Sequence, residues 1–220
     1  MLIAEEVCKN GMAASGEFNK NLTALIASNG ITKVIETGTY LGTGSTKAII
    51  DGLKMHKKPF HFISIEVNPE HHRKAQRNVG RIQGVELWNG CSINKDHPLI
   101  STDFSSLPDH VVIDHQPENR TALYEKEVAF NVPENLLKNA VDFFDGKPEL
   151  VILDSAGHFG WAEFNVLFEL INNPFILALD DINHGKHYWS METIRKSPET
   201  FQVIFETTDK FGSAIIKVKC

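Results

Sequence analysis

Cysteine is scarce. Cys8, Cys91 and Cys220 are the only three in 220 residues, odd in number and far apart. No C-x-x-C pair exists, which excludes a disulfide scaffold and a cysteine zinc site; a reduced, cytoplasmic compartment is expected. Also missing is any apolar run as long as a membrane span, so no membrane partner is expected. The opening MLIAEEVCKN carries Glu5 and Glu6 where a secretory leader needs a basic end and an apolar stretch, and none is expected. Positive charge is in the minority, with 22 Lys and Arg against 28 Asp and Glu and a formal net charge of −6. Basic residues cluster only briefly, at 54–58 and 73–77, as on solvated helix faces, so nucleic acid is not an expected partner. Repeats and low-complexity tracts are absent as well. The balance of 42% apolar and 23% charged residues is that of an ordinary globular protein, and one domain over residues 1–220 is expected.

What is present is an alternation of strand-like and helix-like segments. Residues 2–29 have helical spacing and stop at Asn29-Gly30. Short β-rich runs follow at Thr32–Glu36, Phe60–Glu66 and Val85–Trp88, with helical stretches at Ser45–Leu53 and Pro69–Val79 between them. Leu150–Leu153 and Phe175–Leu179 read as buried strands flanking an amphipathic helix at Trp161–Ile171. Phe201–Glu206 and Ser213–Val218, joined by a turn at Asp209–Gly212, read as a closing hairpin. The pattern predicts an α/β, Rossmann-like fold: a mostly parallel seven-stranded sheet, helices on both faces, and an antiparallel C-terminal hairpin. Residues 93–145, with Pro98, Pro108, Pro117 and Pro133 and little periodicity, are expected to form an insertion, either a cover over the site or a brace.

The richest string is VIETGTYLGTGST, residues 34–46. A strand ends on Glu36, and Gly38, Gly42 and Gly44 line the turn into a helix, the place where nucleotide-type cofactors bind in such sheets. A phosphate loop is excluded because no Gly-Lys-Ser/Thr follows at the required spacing. A dinucleotide fingerprint counted from Gly42 would need glycine where Lys47 stands. Glu36 would repel a pyrophosphate but can attract an ammonium, directly or through water, and Glu66 at the next strand end can accept both hydroxyls of a ribose.

These residues resemble the first motif of class I S-adenosylmethionine-dependent methyltransferases: Glu36-Thr-Gly38-Thr39-Tyr40-Leu-Gly42, then Ser45-Thr46. The likeness is closest to the small-molecule O-methyltransferases, which often carry an aromatic between the glycines. It implies S-adenosylmethionine as cofactor, held by Glu36, Gly38, Thr39, Tyr40, Gly42, Gly44 and Ser45. Glu66 falls where that superfamily places its ribose-binding acid, and Cys91 and Ser92 fall beside the adenine. The acidic residue frequent in that last loop is absent here.

On the acceptor side, Asp154 ends one strand and Asp180-Asp181 the next, so three carboxylates reach one sheet edge. Such a set is costly without a cation or protonation. The pattern resembles metal-dependent O-methyltransferases, including the macrocin and cephalosporin-tailoring type, and implies Mg²⁺ on Asp154, Asp180 and Asp181, with Asp154 nearest the cofactor sulfonium. His158, His184 and His187 lie close by. Asp154-Ser-Ala-Gly-His158 resembles the D-G-x-H string of one methyltransferase family, with one residue more, and makes His158 the expected base. Tyr40, Phe159, Trp161, Tyr188 and Trp189 supply aromatic surface for a small-molecule acceptor, although Trp161 reads better as core. The expected reaction is methyl transfer to a hydroxyl of a sugar, phenol or natural product. Metal-independent N- or O-methyl transfer, a non-catalytic binding protein of this fold, and homo-oligomerisation stay open; a nicotinamide oxidoreductase is disfavoured by Lys47 and Glu36.

Overall fold

The computed structural model describes residues 16–101, 107–111, 125–126, 128–156 and 159–219. Its strands are β1 (Lys33–Thr37), β2 (His61–Glu66), β3 (Val85–Asn89), β4 (Leu150–Leu153), β5 (Phe175–Asp180), β6 (Phe201–Thr207) and β7 (Ser213–Val218). They form one sheet in the order β3-β2-β1-β4-β5-β7-β6. β1 to β5 pair in parallel, and β7 runs antiparallel between β5 and β6. The mostly parallel sheet and its closing hairpin are therefore those expected from the sequence. Strand order reverses between β1 and β4, which opens a crevice at their carboxyl ends.

The helices are α1 (Glu17–Asn29), α2 (Ser45–Met55), α3 (Pro69–Val79), α4 (Leu136–Phe143), α5 (Gly160–Leu170) and α6 (Tyr188–Lys196). Central strands are apolar on both faces because helices cover both. Val34, Phe62, Leu150, Ile152 and Ala178 cluster with Leu22 and Ile26 of α1 and Ile49 and Leu53 of α2. Their neighbours Ile35, Ile63, Val151, Leu153 and Leu177 cluster with α4, α5 and α6. α3 starts where its sequence says it should: Asn68 accepts the N–H groups of Glu70 and His71, and Pro69 occupies the first turn.

Two helices were not legible, α4 and α6. Within the expected insertion, Ile93 and Ile100 are core residues, each 1% exposed. The N–H groups of Leu136 and Leu137 go to the carbonyls of Cys91 and Ser92 at 3.1 and 2.8 Å. Both ends of residues 93–145 are thus built into the domain, while 102–106, 112–124 and 127, on which much of the expected cover falls, lie outside the described residues. Among the described residues no helix is long and apolar enough to cross a membrane.

Two contacts lock the carboxyl edge. Gly38 has φ +84°, and a Cβ there would meet the Asp154 carbonyl oxygen at 2.1 Å, so the turn after β1 lies directly on the end of β4. His187, 0% exposed, joins the segment after β5 to β4: its Nε2 is 3.2 Å from the Leu153 carbonyl and its Nδ1 3.2 Å from the Ser190 hydroxyl. A carbonyl only accepts, so Nε2 carries the proton and Ser190 donates to Nδ1. Burial, helped by the nearby Lys186 charge, pushes the imidazole down to about 3.

Gly38→Ala should therefore cost at least about 2 kcal/mol in urea unfolding, combining positive φ with the contact. Gly146→Ala, with φ +72° and nothing within 4 Å, should cost only about 1 kcal/mol; equal losses would remove the role of the Asp154 contact. His187 gives a pH dependence. Below about 6.5 the unfolded chain binds a proton that the folded chain refuses down to about 3. The stability this neutral group confers is complete above 6.5 and falls as pH drops, by about 2 kcal/mol between pH 7 and pH 5. His187→Gln should lose that much less over the same interval; parallel stability curves would show that His187 is not held neutral.

Candidate functional site

β1 ends in Glu36 and Thr37, and residues 38–44 turn over its end, with Gly44 preceding α2. Gly38 and Thr39 both donate their N–H groups to the Ile65 carbonyl, at 2.9 and 3.2 Å, and Gly42 donates to the Thr39 carbonyl at 2.9 Å. Tyr40 has φ +50°, a conformation a side chain disfavours. It is held there by its N–H, which donates to Glu66 Oε2 at 2.7 Å, and its ring stands edge-on to His71 at 4.8 Å.

Glu36 is buried behind the turn. It is 0% exposed, and its carboxylate accepts the hydroxyls of Ser45 (2.6 Å), Thr46 (2.7 Å) and Ser64 (2.6 Å). Ser45, expected to meet cofactor, spends its hydroxyl on this bond, and the Thr39 hydroxyl turns to Ser64 at 2.5 Å. Burial, outweighing the three hydroxyls, raises the Glu36 pKa. The group pins the turn to β2 and α2.

Glu66 stands where the sequence put it, at the tip of β2, 6% exposed. Each oxygen accepts one backbone N–H: Oε2 from Tyr40, and Oε1 from Asn68 at 2.9 Å. A carboxylate oxygen has room for a second donor, so the pair matches the two hydroxyls of a ribose.

Beyond β3 the two residues named from the sequence are built into the fold. Cys91 and Ser92 are buried at 1% and 5%, and their carbonyls hold the start of α4. Burial pushes the Cys91 thiol up to about 12, so it is inert. The Ser92 hydroxyl donates to Glu163, a fully buried acid of α5 that also accepts Thr37 (3.0 Å) and Ser155 (2.6 Å). Burial raises the Glu163 pKa despite these bonds. Sequence reasoning missed Glu163; the available signal was an acid between Ala162 and Phe164 on the inward face of an amphipathic helix.

Across the crevice, Asp154, Asp180 and Asp181 do converge, each offering an oxygen within 4.8 Å of the others. Asp180 accepts the Ser213 hydroxyl at 2.6 Å. Asp181, with φ +59°, starts the tight segment that leads to α6. The sequence reading left out Lys186. Its Nζ lies 2.9 Å from Asp154 Oδ1 and 2.8 Å from Asp181 Oδ2. Burial disfavours the ammonium, but Asp154, Asp181 and Asp180 outweigh it and hold its pKa above the ordinary value. Burial raises Asp154 well above the usual range despite Lys186, and raises Asp180 with help from the Asp181 charge. Asp181 is also buried, yet Lys186 brings it below the usual range.

In charge and donor type the three acids suit a hard cation, but Lys186 already stands among them. A divalent ion bound at about 2.1 Å to the same oxygens would sit within about 4 Å of Nζ. Repulsion there is about 8 kcal/mol at an effective dielectric near 20. With the lysine in this position the cluster does not fit a metal. Among the histidines, His187 has both nitrogens engaged, His184 Nδ1 accepts the Lys186 N–H at 3.0 Å, and His158 lies outside the described residues. Phe159 belongs to the core and Trp161 packs against it, half-buried; Tyr188 and Trp189 are also half-buried, with the His110 ring 6.3 Å from Tyr188.

No family model and no curated protein matches this sequence. Solved structures match it in shape. An O-methyltransferase from Bacillus cereus, solved with S-adenosylhomocysteine, aligns at TM-score 0.59 and 15% identity over 99% of this chain and 88% of its own. TomG of Streptomyces achromogenes, an O-methyltransferase involved in tomaymycin synthesis and solved with S-adenosylmethionine, aligns at 0.58 and 12%, over 99% and 86%. The methyltransferase PaMTH1 of Podospora anserina, bound to S-adenosylhomocysteine, aligns at 0.55 and 12%, over 92% and 78%. What the chain shares with all three is their architecture: it has the Rossmann-like methyltransferase fold.

Proposed function

We propose that this chain binds S-adenosylmethionine in the crevice between β1 and β4 and transfers its methyl group to a hydroxyl of a small molecule. The observation that carries the reading is the Glu66 carboxylate, placed at the tip of β2 by backbone N–H groups on either side and left with one acceptor position on each oxygen. The likeness in fold to structures solved with S-adenosylmethionine or its demethylated product supports the same cofactor. The acidic edge at Asp154, Asp180 and Asp181 favours a cationic donor.

In the proposed step the acceptor oxygen attacks the methyl carbon as the carbon–sulfur bond breaks, and the electron pair passes to sulfur. The acceptor proton goes to a base: Asp154 stands at the same edge, and the likeness of its Asp154–His158 string to a D-G-x-H motif offers His158 as the other candidate. Burial makes Asp154 more basic than a surface acid despite its lysine partner. Tyr188 and Trp189, half-buried beyond the cluster, give an apolar wall for the acceptor.

Calorimetry should detect binding of S-adenosylmethionine and S-adenosylhomocysteine, and no binding of NADH. Glu66→Ala should weaken both by about 1.5–3 kcal/mol, the scale of charge-assisted hydrogen bonds. S-adenosylhomocysteine release with a panel of hydroxyl and amine acceptors should single out hydroxyls. Binding of NADH with no response to S-adenosylmethionine would overturn the reading.

A further inference from the structure

Lys186 is an unusual presence in a carboxylate cluster. Its side chain is only 4% exposed, against 18% for Asp154 and 28% for Asp181. The segment carrying it is tightly wound: His184 donates its N–H to the Asp181 carbonyl at 3.0 Å, His187 to the His184 carbonyl at 3.1 Å, and the Lys186 N–H goes to His184 Nδ1. Buried His187 anchors the far side to β4. The aliphatic stem is accommodated too: a Cβ on Gly160, the first residue of α5, would meet Lys186 Cγ at 2.4 Å. The backbone of the segment and the inner stem of Lys186 are thus held in place, and the two ion pairs hold its ammonium.

We infer that the Lys186 ammonium is the resident cation of the Asp154–Asp180–Asp181 cluster and stands in place of a divalent metal. The lysine answers the repulsion among the acids and directs Asp154 and Asp181 toward itself. It is a positioning residue, since its ammonium is spent on the two carboxylates. Taken with the transferase reading, this narrows the acceptor. A lysine-paired carboxylate can remove a proton but does not polarise an oxygen as a Lewis acid does. The acceptor hydroxyl is then one of low intrinsic pKa, a phenol or enol, in preference to the alcohol of a sugar.

The test is cation uptake by the full chain without cofactor or acceptor, which keeps it separate from the cofactor experiment. Mn²⁺ titrated into the native protein and followed by electron paramagnetic resonance should show no saturable site below about 1 mM. Lys186→Met should create one site binding at least tenfold tighter, and adding Asp181→Asn should abolish it. Lys186→Gln, which keeps a hydrogen-bonding side chain, should gain the same site and serves if the Met variant does not fold, as judged by circular dichroism. One Mn²⁺ bound by the native protein at micromolar concentration and lost in Asp181→Asn overturns the inference. So does a folded lysine variant that takes up no Mn²⁺.

Discussion

The bonds from Ser45, Thr46 and Ser64 to the buried Glu36 carboxylate join β1, β2 and the first turn of α2 at one point, and the turn of residues 38–44 hangs from that joint. A buried charge is tolerated only when its lone pairs are met, and removing one hydroxyl from such a set costs about 1–3 kcal/mol. Glu163 repeats the device on the other side of β1, gathering Thr37, Ser155 and Ser92. Two acids, each meeting three hydroxyls, therefore fix the loops after β1, β3 and β4. The arrangement is rigid because the donors come from different elements, so none can move without leaving a carboxylate short of a partner.

Much of this fold was legible in residue pattern. Apolar runs located the strands, helical spacing located α3 at Pro69–Val79, and the hairpin was marked by its turn. α4 escaped because its eight residues, LLKNAVDF, sit behind a proline-rich stretch and carry no side-chain cap. At the site, Glu66 was readable because strand-end acids point into the crevice. For Glu36 the sequence located the carboxylate at its strand end but could not reveal which hydroxyls surround it. Lys186 was invisible since its partners are 32 and five residues away and the distance along the chain carries no pairing signal.

The crevice has unlike walls. The Glu66 side offers one carboxylate, held by backbone N–H groups and with room for neutral hydroxyls. The Asp154 side carries three carboxylates and one ammonium. In a low-dielectric setting such an imbalance attracts positive charge more strongly than the same groups would in water. A sulfonium lying between the two walls would meet a favourable field on one side and hydrogen-bond acceptors on the other.

The contact of Gly38 with the Asp154 carbonyl bears on how the two halves of the crevice vary. It is made by backbone on both sides, so any side chain at position 38 would push the turn after β1 off the end of β4. Tyr188 and Trp189 lie outside that contact, on α6. If the proposed transfer holds, substitutions at those two positions would reshape the surroundings of the acceptor while the donor kept its place. On that reading the scaffold could change what it accepts without having to relearn how to hold its donor.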